Sequence, residues 1–227
     1  MEHQEGQTLV DLSHVIEDGM TTHKGLPGPH ICDFWQREAS AAFYDDGSTF
    51  QIGRIDMVAN TGTYLDSPFH RFAGGADLAG LKLGQLVALP GLVLRTEATA
   101  IDRDLFEGHD LAGKAVLVHT GWDRHWRTDA YQTGHPHLTE AAAHFLARQS
   151  VALVGIDSHN IDDTGGRARP VHTVLLGNDI LICEHMTNLG ALPDAGFLFT
   201  AVPPKIAGMG TFPVRAFAML GETIQAR

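Results

Sequence analysis

The sequence predicts a β-rich α/β protein. Short Val- and Leu-rich runs bounded by turn residues recur along the chain, and strand-like runs outnumber helical ones. The best-patterned helix lies between two such runs, the strand–helix–strand order of an α/β layer.

Taken in order, Leu9–Ser13 reads as a short first strand, and the Gly/Pro-rich segment from Gly19 to Pro29, carrying His23 and Lys24, reads as loop. Phe50 to Val58 alternates apolar and polar residues, the period of a half-buried strand, and delivers the chain into Asn60–His70. Arg71 to Ala79, with Gly74-Gly75, reads as loop, and Leu89–Arg95 and Ala115–Thr120 as buried strands. Thr139 is a good N-cap for a helix to about Gln149 with an apolar stripe of Ala141, Ala142, Phe145 and Leu146. Val151–Ile156 follows as a strand ending in Asp157-Ser158-His159. Pro170–Leu176 fits a short helix with proline in its first turn, placing His172 near the start. Asp179–Glu184 is a further buried strand, and Phe197–Val202 and Val214–Leu220 continue the strand–turn alternation.

At 227 residues without repeat or linker, residues 1–227 are expected to form one domain. A mean hydropathy of -0.05 fits a soluble chain that can bury a full core. The net charge of -11, with no basic stripe, argues against a nucleic-acid partner. Met1–Glu5 is acidic and polar, unlike a signal peptide, and the longest apolar run, Leu86 to Leu94, is broken by Pro90-Gly91 and too short to span a bilayer. The expectation is a cytoplasmic protein with no membrane partner and with Cys32 and Cys183 reduced. The unusual count is 14 histidines, which directs attention to metal or acid–base chemistry.

The chemistry concentrates in Asn60–His70. Eleven residues hold an amide, a phenol, a carboxylate and an imidazole, with Gly62 and Pro68 setting a non-helical path. Asn60, Tyr64, Asp66 and His70 stand at even offsets, so in an extended segment they would share one face.

This run resembles the H-x-G-T-H-x-D-x-P-x-H pattern of the metal-dependent cyclase/hydrolase family, which includes bacterial kynurenine formamidases and isatin hydrolases. Here it reads Asn60-x-Gly62-Thr63-Tyr64-x-Asp66-x-Pro68-x-His70. Asp11-Leu12-Ser13, then Val154–Ser158 with Asp162, His172, and Glu184 with Thr187-Asn188-Leu189 are similar to the family in order and spacing. The resemblance covers roughly Leu9 to Ala218. It implies a swivelling β/β/α fold, a homodimer or homotetramer, and a metal site. Matched residue by residue, it assigns Asp66, His172 and Glu184 as metal ligands and His70 as the catalytic proton donor and acceptor. Asn60 and Tyr64 occupy two positions where the family has ligand histidines.

A neutral amide and a phenol with pKa near ~10 are poor zinc ligands, so the family's first metal position is expected to be lost. The remaining O,N,O set would take one divalent ion, zinc or manganese first and magnesium as a further option. With such an ion, His70 would move protons, while Tyr64 and Asn60 would steady an oxyanion or hold substrate. The expected activity is hydrolysis of a small-molecule amide or cyclic amide, and not the kynurenine formamidase reaction itself. Two alternatives stand beside it: a metal-free lyase, dehydratase or cyclase using His70 and Tyr64, and a member of the fold that only binds a small molecule.

His23 matches a position of substrate contact in the family, and His159 follows a strand end that could approach the site. Trp122 and Trp126 could line a pocket or fill core, and Arg167 and Arg169 could bind a substrate carboxylate. His125, His135 and His137 match no ligand role, and Cys183 reads as a small buried residue.

Overall fold

The computed structural model describes residues 2–4 and 7–221, with side chains from residue 7; of the acidic opening, Met1 and Glu5 lie outside the described residues. Fourteen strands are described: β1 (Glu2–Gln4), β2 (Gln7–Asp11), β3 (His30–Trp35), β4 (Ile52–Asp56), β5 (Tyr64–Asp66), β6 (Leu89–Arg95), β7 (Ala100–Ile101), β8 (Ala115–His119), β9 (His137–Leu138), β10 (Leu153–Ile156), β11 (Leu181–Glu184), β12 (Ala195–Thr200), β13 (Thr211–Pro213) and β14 (Phe217–Gly221). The α-helices are α1 (Arg37–Ser40), α2 (Glu140–Arg148) and α3 (Pro170–Gly177). This is the strand-dominated α/β fold expected, and no described helix is long and apolar enough to cross a membrane.

Ten strands form one sheet in the order β1-β2-β14-β12-β6-β8-β10-β11-β5-β13. Its centre, β6-β8-β10-β11, is parallel, and its remaining pairs are antiparallel. The parallel strands are buried on both faces, which explains their continuous Val/Leu/Ile runs. One face packs Leu117, Leu153, Leu181 and Phe199; the other packs Val116, Val154 and Ile182 against α2 and α3 through Ala142, Leu146, Val171 and Leu175.

Thr139 caps α2 by accepting from the amide of Ala142, as its position predicts. The buried stripe of α2 is Ala142, Ala143 and Leu146, whereas Ala141 is exposed and Phe145 half-buried; the stripe is turned by one residue from the expected one.

The expectation for Phe50–Val58 is corrected. Ile52–Asp56 is a strand, but it pairs only with β3 in a separate two-stranded sheet, and every one of its residues is exposed. The alternation is real, but no core covers the apolar side. Phe34, Trp35, Phe43, Tyr44, Ile52 and Ile55 stand exposed on and beside this arm, where the rings of Trp35, Phe43 and Phe50 pack on one another. Cys32 and Cys183 are both free.

Asn60–His70 is likewise not one extended segment. A turn through Gly62, at φ 65, leads into β5, and Pro68 opens a one-turn 3-10 helix ending at His70. Beside that turn, Gly210 passes so close to His70 that an added Cβ would strike the backbone of His70 and the carbonyl carbon of Phe69, at 2.8 Å. The amide of Ser67 also donates to the Gly210 carbonyl at 2.7 Å, fixing the approach. Gly210→Ala is therefore expected to lower unfolding free energy by about 1–3 kcal/mol, the usual cost of overpacking against an unyielding neighbour. Urea unfolding of the parent and variant checks it.

Candidate metal and acid–base site

β5 lies between β11 and β13, and the register decides the site. Glu184 stands across from Tyr64, and Thr211 stands across from Asp66. Tyr64 and Asp66 are two residues apart on one strand and so face the same side. Both register pairs close as hydrogen bonds. The Tyr64 hydroxyl donates to Glu184 Oε2 at 2.6 Å, and the Thr211 hydroxyl donates to Asp66 Oδ1.

His172 comes from the first turn of α3 and is held by Asp162. The Asp162 carboxylate accepts from the backbone amides of Val171 and His172 and, at 2.6 Å, from His172 Nδ1. That bond turns His172 Nε2 toward Asp66 Oδ2 at 3.7 Å and Glu184 Oε1 at 3.6 Å. Glu184 Oε1 also accepts from the Ile161 amide at 2.6 Å. Asp66 Oδ2 is buried with no hydrogen-bond partner.

Electrostatics follow from this packing. Burial favours the neutral acid at Asp66, but His172, His70 and the Thr211 hydroxyl together hold its carboxyl below the ordinary value. Burial also disfavours charge on His172, yet Glu184, Asp162 and Asp66 raise it to about 10. Glu184 is raised to about 7, by burial first and by the Asp66 charge, against the opposing pull of His172. Tyr64 is pushed up by burial, then by the charges of Glu184 and Asp66.

His70 sits at the mouth of the site with its Nδ1 2.7 Å from the Thr211 hydroxyl. Because that hydroxyl gives its own proton to Asp66, its oxygen accepts from His70 Nδ1–H, which leaves His70 Nε2 with a free lone pair. Asp66, His70 and His172 bring one ligand atom each within 4.8 Å of one another and could hold a cation. Asn60, Tyr64, His70, His172 and Glu184 line one cleft of about 290 Å3, together with His23, Arg71 and Arg169. Asp66 lies beneath it, fully buried.

The structure thus brings Asn60, Tyr64, Asp66, His70, His172, Glu184 and His23 together. Of the other sequence candidates, Arg169 reaches the cleft, while Arg167 does not line it. Trp126 stacks on His14 at 4.0 Å and contacts His185, Trp122 donates to the Tyr131 carbonyl, and neither lines the cleft. Cys183 is fully buried, and burial pushes its thiol up, away from nucleophilic use. Thr211 and Arg71 had no signal of their own in the sequence; Thr211 meets Asp66 across 145 positions of chain.

The profile of the cyclase family, described as "Putative cyclase", matches residues 10–163. The chain belongs to the cyclase family. A kynurenine formamidase of Bacillus cereus is 24% identical over 208 residues, covering 91% of this chain and 95% of that protein. Among solved structures, a potential metal-dependent hydrolase with cyclase activity superposes with a TM-score of 0.77 at 25% identity, covering 96% of this chain and 100% of the other. Isatin hydrolase A from Labrenzia aggregata, bound to benzyl benzoate, superposes with a TM-score of 0.80 over 96% of this chain and 95% of its own, at 20% identity, a likeness of fold.

Several histidines around the family site are kept neutral. Burial lowers His14 and His23 to about 4 and His159 to about 3, and lowers His185 well below the ordinary value. Asp123 opposes the shift at His14 and Asp66 at His23, while His23 and His135 reinforce it at His159. These folded values lie under the unfolded 6.5, so between about pH 6.5 and 4 the unfolded chain binds more protons. Stability is full above this window and falls as pH drops through it. In chelator-treated protein, the urea midpoint is expected to decline from pH 7 to 4, and His159→Phe is expected to flatten the decline.

Proposed function

We propose that the chain hydrolyses a small amide or cyclic amide, with one divalent cation held by Asp66, His172 and Glu184 and with His70 moving the protons. The observation that carries this reading is Asp66 Oδ2, a buried carboxylate oxygen without a donor, facing His172 Nε2 and beside His70. Leaving such an oxygen bare is costly, and a cation there would satisfy it. The donor chemistry fits: two carboxylates and an imidazole whose other nitrogen is fixed by a carboxylate. Mixed oxygen and nitrogen donors suit zinc or manganese, with magnesium a poorer match to the imidazole. The kynurenine formamidase and metal-dependent hydrolase relatives support the class of reaction.

When bound, the cation would supply a positive charge that polarises a carbonyl and acidifies water. The chain's own groups do the rest. His70 Nε2, with its lone pair free, takes a proton from the attacking water and passes it to the leaving nitrogen. Thr211 holds that imidazole in the required tautomer. Asn60, beside the Tyr64 hydroxyl, steadies the carbonyl oxygen or holds substrate. Tyr64 contributes mainly by fixing Glu184, because its proton is already committed there. Arg71 and Arg169 on the cleft wall favour a substrate bearing a carboxylate, and His23 lines the same cleft.

The metal-free alternative has less physical support. Burial, Glu184 and Asp66 all raise the Tyr64 phenol, making it a poor acid partner for His70. A binding-only protein would leave the free Nε2 of His70 without use.

His70→Ala is expected to lower kcat by about 10²–10⁴-fold on an N-formyl arylamine or lactam bearing a carboxylate. Chelation should abolish turnover, and zinc or manganese should restore it. Turnover indifferent to both changes would overturn the reading. We also propose that the chain is a homo-oligomer, since the β3–β4 arm exposes Phe34, Trp35, Ile52 and Ile55 together. Light scattering of the parent should give a dimer or tetramer mass, and Trp35→Glu/Ile55→Glu should shift it toward monomer.

A further inference from the structure

On the other side of Tyr64 from Glu184 lies a second cluster with no carboxylate in it. His23 comes from the loop before β3, His159 follows the end of β10, and His185 follows the end of β11. One ring nitrogen from each lies within 4.8 Å of the other two. The ring centroids are 4.8 Å apart for His23–His159, 5.0 Å for His23–His185 and 5.6 Å for His159–His185, and the ring planes are steeply inclined to one another. We infer that His23, His159 and His185 form a three-imidazole site for a divalent transition metal, separate from the Asp66–His172–Glu184 set.

Two ring nitrogens of the cluster have no hydrogen-bond partner. His159 Nδ1 and His185 Nε2 are buried and unpartnered, in residues that are 6% and 0% exposed. Unsatisfied buried polar atoms are rare in folded proteins, and two in one cluster call for a common cause. Core packing alone would be served better by phenylalanine or leucine at either position.

The surrounding bonds prepare the rings as ligands. Tyr131 lies 2.9 Å from His185 Nδ1, so the ring nitrogen opposite the orphan is the one already engaged. His23 Nε2 lies 2.9 Å from the Tyr64 hydroxyl, whose proton goes to Glu184; His23 therefore donates, and its Nδ1 keeps the lone pair. For His185 and His23, a partner on the other ring nitrogen is the means by which proteins orient metal-binding histidines. Burial keeps all three rings neutral, the form that binds metal. His185 also holds a left-handed backbone at φ 54, a local cost of the kind that gathers at functional sites. An approach from solvent exists, because His23 and His159 line an opening of about 410 Å3 with Lys24, Asp129 and Gln132.

An all-imidazole set suits zinc, nickel or copper and discriminates against magnesium. Zn–N bonds of roughly 2.0–2.1 Å require the three nitrogens to draw together on binding. The inference does not depend on the hydrolase reading or on the carboxylate set.

The test is metal stoichiometry of the full-length chain. Chelator-treated protein would be dialysed against Zn2+ with excess Mg2+, metal content read by elemental mass spectrometry, and Co2+ absorption recorded as a ligand signature. Parent, Asp66→Asn, His159→Ala and His23→Ala would be compared, with circular dichroism confirming the fold; His23, half-buried in a loop, is the variant read if His159→Ala does not fold. The expected result is an ion that persists in Asp66→Asn and is lost from His159→Ala and His23→Ala, with loss of its Co2+ band. Tyr131→Phe should weaken that ion about 10–100-fold. If His159→Ala and His23→Ala keep all the metal of the parent, the triad is overturned, whatever Asp66→Asn does. If the parent's metal is lost in Asp66→Asn alone, the carboxylate site stands and the triad falls. A parent that binds no zinc overturns both.

Discussion

The structure depends on the register of a three-residue strand. β5 is paired on both sides, and one residue of slip would turn Tyr64 and Asp66 away from the face they share with Glu184 and Thr211. Neither neighbour in the sheet is a neighbour in sequence. The hydrogen bonds of Tyr64 to Glu184 and of Thr211 to Asp66 act as register pins, because a slipped strand would separate each buried carboxylate from its hydroxyl donor. Gly62 and Gly210 make the register reachable, one by turning the chain into β5 and the other by letting it pass against His70.

Charge is managed by pairing. Asp66, Glu184 and His172 are buried together, which burial alone would forbid. Each carboxylate accepts a hydroxyl donor, His172 is anchored from behind by Asp162, and one oxygen is left over. Two hydrogen-bond relays fan out from this centre. Asp66–Thr211–His70 leads to the mouth of the cleft, and Glu184–Tyr64–His23 leads to the histidine cluster. Tyr64 is thus a connector between two neighbourhoods, a role that a ligand histidine at the same position would fill differently.

Much of this was legible in the sequence. Continuous apolar runs identified β6, β8, β10 and β11 because both of their faces are buried, and Thr139 and Pro170 marked the helix starts because caps act locally. The spacing within Asn60–His70 singled out side chains that do meet, but for a wrong geometric reason. They converge through a turn, a short strand and a 3-10 turn, not along one extended face. Alternation at 50–58 could not reveal that no core covers it. Thr211 and Arg71 were silent because their partners lie far along the chain; His23 and His159 were singled out one at a time and His185 not at all, because their spacing does not foretell that the three meet. Only their meeting gives them meaning.

The distance in sequence between Asp66 and Thr211 also bears on how the protein is made. The partner that completes β5 is 145 residues downstream, and β14, which joins β2 to β12, comes later still. During synthesis, the first half of the chain emerges with β5 lacking both of its neighbours and with Asp66 lacking both Thr211 and His172. Closure of long loops must precede the reward of the contacts they bring, which makes pairings of this sequence separation slow to form. The cleft therefore comes into being only after the strand that carries Thr211 has joined β5.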